Sequence, residues 1–171
     1  MTRPHLTRDL IVRPAVPADA EVLADMVRQL NAHQNDPTQH FNAAAALRDA
    51  LGPDAAVSAL IAELDNVAVG YAFLLPAYES AYAARGLYVA DFFITDQARG
   101  RGVGRVLVSA CAAFAKGQGK TFLWWASKAW NTDAQAFYRK LGAIEEPIMA
   151  HALTFAKFTA LAEEGERFLK E

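Results

Sequence analysis

The feature that most narrows the possible folds is a run of alternating glycines. Gly100, Gly102 and Gly104 stand between an apolar run ending at Ile94 and a helical apolar stripe beginning at Val103. A helix start leaves backbone N–H groups without intrahelical partners. Those groups, with the helix dipole, attract anions. Glycines ahead of such a start remove side chains that would hold an anion away, and they allow backbone shapes closed to other residues. Successive N–H groups can then line an anion nest. Arg99, Arg101 and Arg105 add positive charge around it. A flexible turn with solvated arginines is the plainer reading of the same letters. The run misses the G-x-G-x-x-G spacing of dinucleotide sites, and Gly104-Arg105-Val106 lacks the Gly-Lys-Ser/Thr of a P-loop. The segment therefore suits a phosphate but neither of those two ligand families.

The hydrophobic pattern around this loop predicts a mixed order of elements. Leu10 to Pro14 reads as a first strand. Asp19, or the Pro17-Ala18 pair, opens a helix whose Val22, Leu23, Met26, Val27 and Leu30 fall at helical spacing, and the polar stretch from Asn31 to Gln39 is expected to break it. A second helix is expected from about Asn42 to Leu51, closed by the turn Gly52-Pro53-Asp54. Two strands, roughly residues 57–63 and 67–76, are joined at Asp65-Asn66 as a hairpin, and residues 78–86 read as a loop. A strand over residues 87–94 leads into the glycine loop. On the helix that follows, Val103, Val106, Leu107, Ala110, Cys111 and Phe114 form one stripe, ended by Gly117-Gln118-Gly119. A strand over residues 121–126, a helix from Asn131 closed by Gly142, a last strand near residues 149–154 and a C-terminal helix complete the chain. This order predicts a mixed α+β fold around one central sheet.

Composition sets the class. The chain has 171 residues, 53% hydrophobic and 21% charged, which suits a single globular domain over residues 1–171 rather than a disordered chain. A formal charge of -2 and a pI near 6.1 do not fit a nucleic-acid binder, which is usually strongly basic. One cysteine, Cys111, allows no intrachain disulfide. The opening Met1-Thr2-Arg3-Pro4-His5 has no apolar signal run, and no stretch is long and apolar enough to span a membrane. A reduced, soluble, cytoplasmic protein is the expectation. His5, His33, His40 and His151 are scattered without metal-ligand spacing, so no metal is expected.

Two blocks carry a resemblance to a known family. Arg99-Gly100-Arg101-Gly102-Val103-Gly104 reads as R-x-x-G-x-G. Asn131-Thr132-Asp133-Ala134-Gln135-Ala136-Phe137-Tyr138-Arg139-Lys140-Leu141-Gly142 is similar to N-x-x-A-x-x-F-Y-x-K-x-G. In this order, with an opening strand over residues 10–15, the chain resembles the GCN5-related N-acetyltransferases (GNAT) over nearly its whole length. The resemblance implies a central, mostly antiparallel twisted sheet flanked by helices, with acetyl-CoA as co-substrate and no metal. It implies that the loop from Arg99 through Gly100, Arg101, Gly102, Val103 and Gly104 to Arg105 holds the pyrophosphate. It also implies that backbone groups of Phe92, Phe93 and Ile94 meet pantetheine and polarise the thioester carbonyl, and that Asn131 and Ala134 lie at the pantetheine arm. Read from the residues alone, Asn131 is a good helix N-cap, and the two phenylalanines belong to a buried strand. Tyr138 is implied as the general acid that protonates the leaving thiolate. A core tyrosine with a satisfied hydroxyl is the plainer alternative. A homodimer, formed by a sheet edge or by residues 150–158, is implied by the same analogy.

Within the family, Tyr88-Val89-Ala90-Asp91-Phe92-Phe93 looks most like the diamine and polyamine (spermidine/spermine) branch. That branch carries a glutamate where this chain has Ala90. Strict strand alternation puts Ala90 and Asp91 on opposite faces, so Asp91 is not expected to replace the glutamate. An alkylammonium, with a pKa of about 10.4, must lose a proton before it attacks, and Glu79, Asp91 and Tyr78 are the candidates to take it. Cys111 reads as a buried structural thiol. Trp124 and Trp125 face opposite sides, and Trp130 is placed to wall a site or simply to pack. The leading function is acetyl transfer from acetyl-CoA to a small-molecule primary amine in a ternary complex. Protein or peptide N-acetylation, and acetyl-CoA sensing without turnover, are the competing readings.

Overall fold

The computed structural model describes residues 9–169. The chain divides into two compact units, Met1–Ala134 and Gln135–Glu171.

The first unit is built on a five-stranded sheet: β1 Leu10–Pro14, β2 Ser58–Leu64, β3 Val67–Glu79, β4 Ala84–Ile94 and β5 Phe122–Trp124. The strands lie in chain order, with three antiparallel ladders and a parallel one between β4 and β5. The expected Asp65-Asn66 hairpin is present. Both residues adopt left-handed backbone, φ 54° and 62°, the pairing that a two-residue type I′ turn needs to match strand twist.

Helices cover both faces of the sheet. α1 Ala20–Gln34 and α2 Ala43–Asp49 pack Leu23, Met26, Val27, Leu30 and Ala46 against Ile61, Tyr71, Phe73 and Phe93. α3 Val103–Gly117 packs Val103, Leu107, Cys111 and Ala115 against Leu60, Ala72, Leu74, Leu87, Val89 and Ile94. α1 runs past Asn31 and stops at Asn35, whose φ of 57° ends it; the polar stretch continues the helix because its side chains face solvent. Asn42 caps α2 by accepting a 3.0 Å bond from the Ala45 N–H.

Three expectations need correction. Residues 78–86 are not a loop. β3 and β4 pair to Glu79↔Ala84 around a short 3-10 turn at Ser80–Tyr82. Side chains there are mostly exposed, so the ladder continues where no apolar alternation marks it. The strand expected over residues 121–126 shortens to Phe122–Trp124. No strand forms near residues 149–154 among the described residues, because an apolar run without a pairing partner gains nothing from an extended shape.

The second unit carries most of α4 Thr132–Leu141, and then α5 Phe155–Glu166. Gly142, at φ 86°, ends α4 as its position predicts.

Candidate active site

The glycine loop is shaped by two residues. Gly100 and Gly102 have φ 73° and 84°, a region that costs other residues roughly 1–2 kcal/mol. A methyl group built on either would meet nothing within 4 Å. The glycines therefore serve backbone shape, and the space in front of them is open. α3 begins directly after, with Gly102 at its N-cap position. No side chain caps it, and its first turn holds no acidic residue. Its N-terminal N–H groups thus face the open space with Arg101 and Arg105 exposed beside them. Gly104 lies within the first turn of α3. Arg99 points back instead: its Nε donates to the Ile94 carbonyl at 3.2 Å, and its Nη1 is 2.8 Å from Asp96. Arg99 braces the loop against the end of β4 and is only in part a free charge.

β4 carries the second half of the site. Its ladder with β5 ends at Tyr88↔Trp124, while β4 itself continues to Ile94. Phe92, Phe93 and Ile94 therefore lie where the two strands have parted. Phe93 is buried on the α1 side, and Ile94 is buried on the α3 side.

Regular two-residue alternation does not hold between Val89 and Asp91. Val89 pairs with Leu74 and Asp91 with Phe73, so Ala90 is the extra residue of a β-bulge. A bulge resets the two-residue phase of a strand. Val89 faces α3, yet Asp91 faces α1, where its carboxylate accepts a 2.8 Å bond from the Tyr71 hydroxyl. Burial pushes the Asp91 carboxyl above its ordinary pKa, and the Tyr71 hydrogen bond partly offsets the rise. Burial and the neighbouring Asp91 push the Tyr71 phenol far up. The other two candidates for a base are different in kind. Glu79 is exposed and accepts the Ala81 N–H at 3.0 Å, and Tyr78 is 64% exposed.

A cavity of about 330 Å³ lies between the end of α1 and the end of β4, lined by Gln29, Ala32, His33, Phe93, Asp96 and Arg99. His33 meets Trp130 edge to face at 5.6 Å, so the wall that sequence could suggest for Trp130 is a contact with the end of α1. Trp124 stacks on Tyr88 at 5.0 Å, and Trp125 packs towards the α3 layer. Asn131 acts as the N-cap of α4, accepting from the Ala134 N–H at 3.2 Å. Sequence reading missed Tyr71, Gln29 and Asp96. Tyr71 carried one usable signal, a polar tip on the buried face of a strand.

In the second unit, Tyr138 lies on α4 with its ring against Phe137 at 5.4 Å. Burial pushes its phenol up to about 12. Cys111 is fully buried with its thiol also pushed up to about 12, which fits a structural thiol. Among the described residues no group of three His, Cys, Asp or Glu side chains is placed to hold a metal, and no helix is long and apolar enough to cross a membrane.

Residues 24–143 match the family model for acetyltransferase (GNAT) proteins. The thialysine N-epsilon-acetyltransferase of Sus scrofa is 27% identical over 143 residues, covering 78% of this chain and 84% of that protein. The L-ornithine N5-acetyltransferase of Arabidopsis thaliana is 34% identical over 79 residues, 46% of this chain but only 35% of that protein, so the chain spans about a third of its length. Among solved structures, an aminoglycoside acetyltransferase from an uncultured soil metagenomic sample superposes with a TM-score of 0.74 at 17% identity, over 88% of this chain and 99% of that one. An aminoglycoside N-acetyltransferase in complex with CoA gives 0.70 at 20% identity, over 84% and 94%. At these identities the structural likeness is one of fold.

Proposed function

Because the chain belongs to the acetyltransferase (GNAT) family, we propose that it moves the acetyl group of acetyl-CoA to the primary amine of a small diamine, diamino acid or polyamine by direct attack with both substrates bound. The observation that carries this reading is the uncapped start of α3 behind two left-handed glycines with open space before them. Such a start binds a diphosphate through main-chain N–H groups and the helix dipole. Arg101 and Arg105 add charge to it, Val103 and Gly104 supply first-turn amides, and Arg99 holds its shape. The parting of β4 from β5 supports a pantetheine arm running along Phe92, Phe93 and Ile94, with Asn131 and Ala134 at the next helix start.

Bound acetyl-CoA supplies an activated thioester carbon. The protein's part is to aim it, to exclude water and to handle protons. Tyr138, protonated well beyond neutral pH, is the proposed donor to the leaving sulfur. The similarity to thialysine and ornithine acetyltransferases favours the side-chain amine of a diamino acid over a protein N-terminus. A cytoplasmic location and a homodimer belong to the same proposal. The exposed Met149, Phe155 and Phe158 of the C-terminal segment are apolar surface of the kind that pairing covers, and light scattering should return twice the chain mass.

A free-thiol assay with acetyl-CoA tests the function against thialysine, ornithine, spermidine, an aminoglycoside and a peptide. Amine-dependent CoA release with the first three is expected. Tight acetyl-CoA binding with no release for any acceptor would mark a sensor instead.

A further inference from the structure

The last rung of the β4–β5 ladder is an aromatic pair on the face of the sheet away from α3. We propose that Tyr88 and Trp124 determine acceptor specificity: their rings hold the second, unreacting ammonium of a diamine or polyamine. The inference rests on the acetyltransferase reading above and deepens it, by naming what selects a doubly charged amine over a singly charged one.

Orientation, position and charge carry it. Leu87 and Val89 flank Tyr88, Leu123 and Trp125 flank Trp124, and all four pack in the α3 layer. Alternation sends Tyr88 and Trp124 to the opposite face, where their rings stack at 5.0 Å, inclined by 37°. Neither ring belongs to the core beneath α1 and α2, and Trp124 is 50% exposed. A large ring thus keeps half its surface for a ligand. Phe122 extends this floor by one rung: its ring fills the space over Gly86, where an added methyl would stand 2.4 Å from it. The position follows from the ladder. Tyr88↔Trp124 is the last pair that joins β4 to β5, and β4 runs on to Ile94 without β5. A thioester arm entering from the start of α3 along Ile94, Phe93 and Phe92 meets this closed rung at its far end. Of the charged residues of β3, β4 and β5, Asp91 and Glu79 fall on the ring face, and Arg85, opposite Tyr78, falls on the other. These strands therefore bring two carboxylates and no cation to the floor.

A diamine sets two different demands. The attacking nitrogen must be neutral, whereas the other, with a pKa of about 10, stays an ammonium at neutral pH. An aromatic face attracts that cation through the ring quadrupole, best over Trp and within about 6 Å of the ring centre. It does so without accepting a proton, while the methylene chain lies against apolar surface. A monoamine offers the chain but not the charge. The rings take no part in bond making. They fix where the chain lies, and so which nitrogen reaches the thioester.

The test compares three acceptors on the full chain: 1,4-diaminobutane, butylamine, and (4-aminobutyl)trimethylammonium, whose distal charge is permanent and has no N–H. The wild type should prefer the diamine to butylamine and accept the trimethylammonium compound about as well as the diamine, since a ring face needs no hydrogen bond from the cation. In Trp124→Leu the diamine-to-butylamine ratio of kcat/KM should fall about 3- to 30-fold, through KM more than kcat. Trp124→Phe should keep part of the preference, and Tyr88→Leu should lose part of it. Melting curves and acetyl-CoA titrations accompany each variant, and if Trp124→Leu does not fold the other two carry the comparison. An unmoved ratio in folded variants, an equal loss for both acceptors, or a wild type that prefers butylamine or rejects the trimethylammonium compound overturns the inference. Absence of turnover with any amine overturns the function itself, whereas turnover whose preference survives loss of the rings overturns only this inference.

Discussion

Tyr138 and Gly102 are proposed for different tasks, proton donation and diphosphate binding, and their substitutions should separate cleanly. Tyr138→Phe keeps the ring and removes the proton, so kcat should fall by roughly 10²–10⁴-fold while acetyl-CoA affinity measured by calorimetry stays put. An acid works only below its pKa, and this phenol is pushed up to about 12. Its ionisation therefore should not limit the rate near neutral pH, and any alkaline limb below about pH 10 belongs to another group. A joint collapse of kcat and affinity would make the tyrosine structural. Gly102→Asp should do the reverse. It forces a side chain onto a backbone at φ 84° and sets a negative charge at the start of α3. Acetyl-CoA binding should weaken by at least about 10-fold, since a lost charge-assisted contact and the backbone strain each amount to roughly 1–2 kcal/mol. Unaltered binding in that variant would sink the loop assignment.

Between elements, one tight constraint is the approach of β3 to the end of β4. A methyl group on Gly70 would stand 2.7 Å from the Phe93 carbonyl oxygen and 2.6 Å from Ile94 Cδ1. Gly70→Ala must push β4 aside at the residues proposed to meet pantetheine. We expect a loss of about 1–3 kcal/mol in stability together with weaker acetyl-CoA binding, read by thermal melting and calorimetry on the same sample. The order of elements was legible in the sequence because each has a local cause: helical spacing on α1 and α3, Asp65-Asn66 in the β2–β3 turn, glycines at loop and helix ends. The glycine loop was legible for the same reason. What escaped reading depends on partners. The β3–β4 hairpin extends past its apolar residues because backbone pairing needs no side-chain pattern. The bulge at Ala90 is a property of two strands in register, and neither strand announces it alone. Tyr71 and Asp91 lie twenty positions apart, and the bulge brings them face to face. The cavity joins the end of α1 to the loop after β4, a proximity no single window of sequence contains.

Two carboxylates give the molecule opposing pH dependences. Asp19 is clamped by Arg13 through bonds of 2.7 and 2.8 Å, with Glu63 on the same guanidinium and the Val16 N–H on the carboxylate. Arg13 holds the Asp19 carboxyl below the usual range. Its contribution to stability is present above the unfolded pKa, about 3.9, and is lost as pH falls through the lower folded value. Asp91 behaves oppositely. Burial raises its folded pKa, so the fold is favoured while the group is neutral, and that contribution is lost as pH rises through the folded value. Asp19→Asn should therefore lower Tm at pH 7, by roughly 4 °C or more for the loss of a charged, hydrogen-bonded partner, with the gap to wild type closing below about pH 4. Asp91→Asn keeps an oxygen for the Tyr71 hydroxyl and removes the buried charge. It should raise Tm at pH 7, and that gain should shrink as pH falls. Thermal melts of the three proteins across the acid range check both signs. A lower Tm for Asp91→Asn at neutral pH would show that the pair with Tyr71 is a strut that the fold needs.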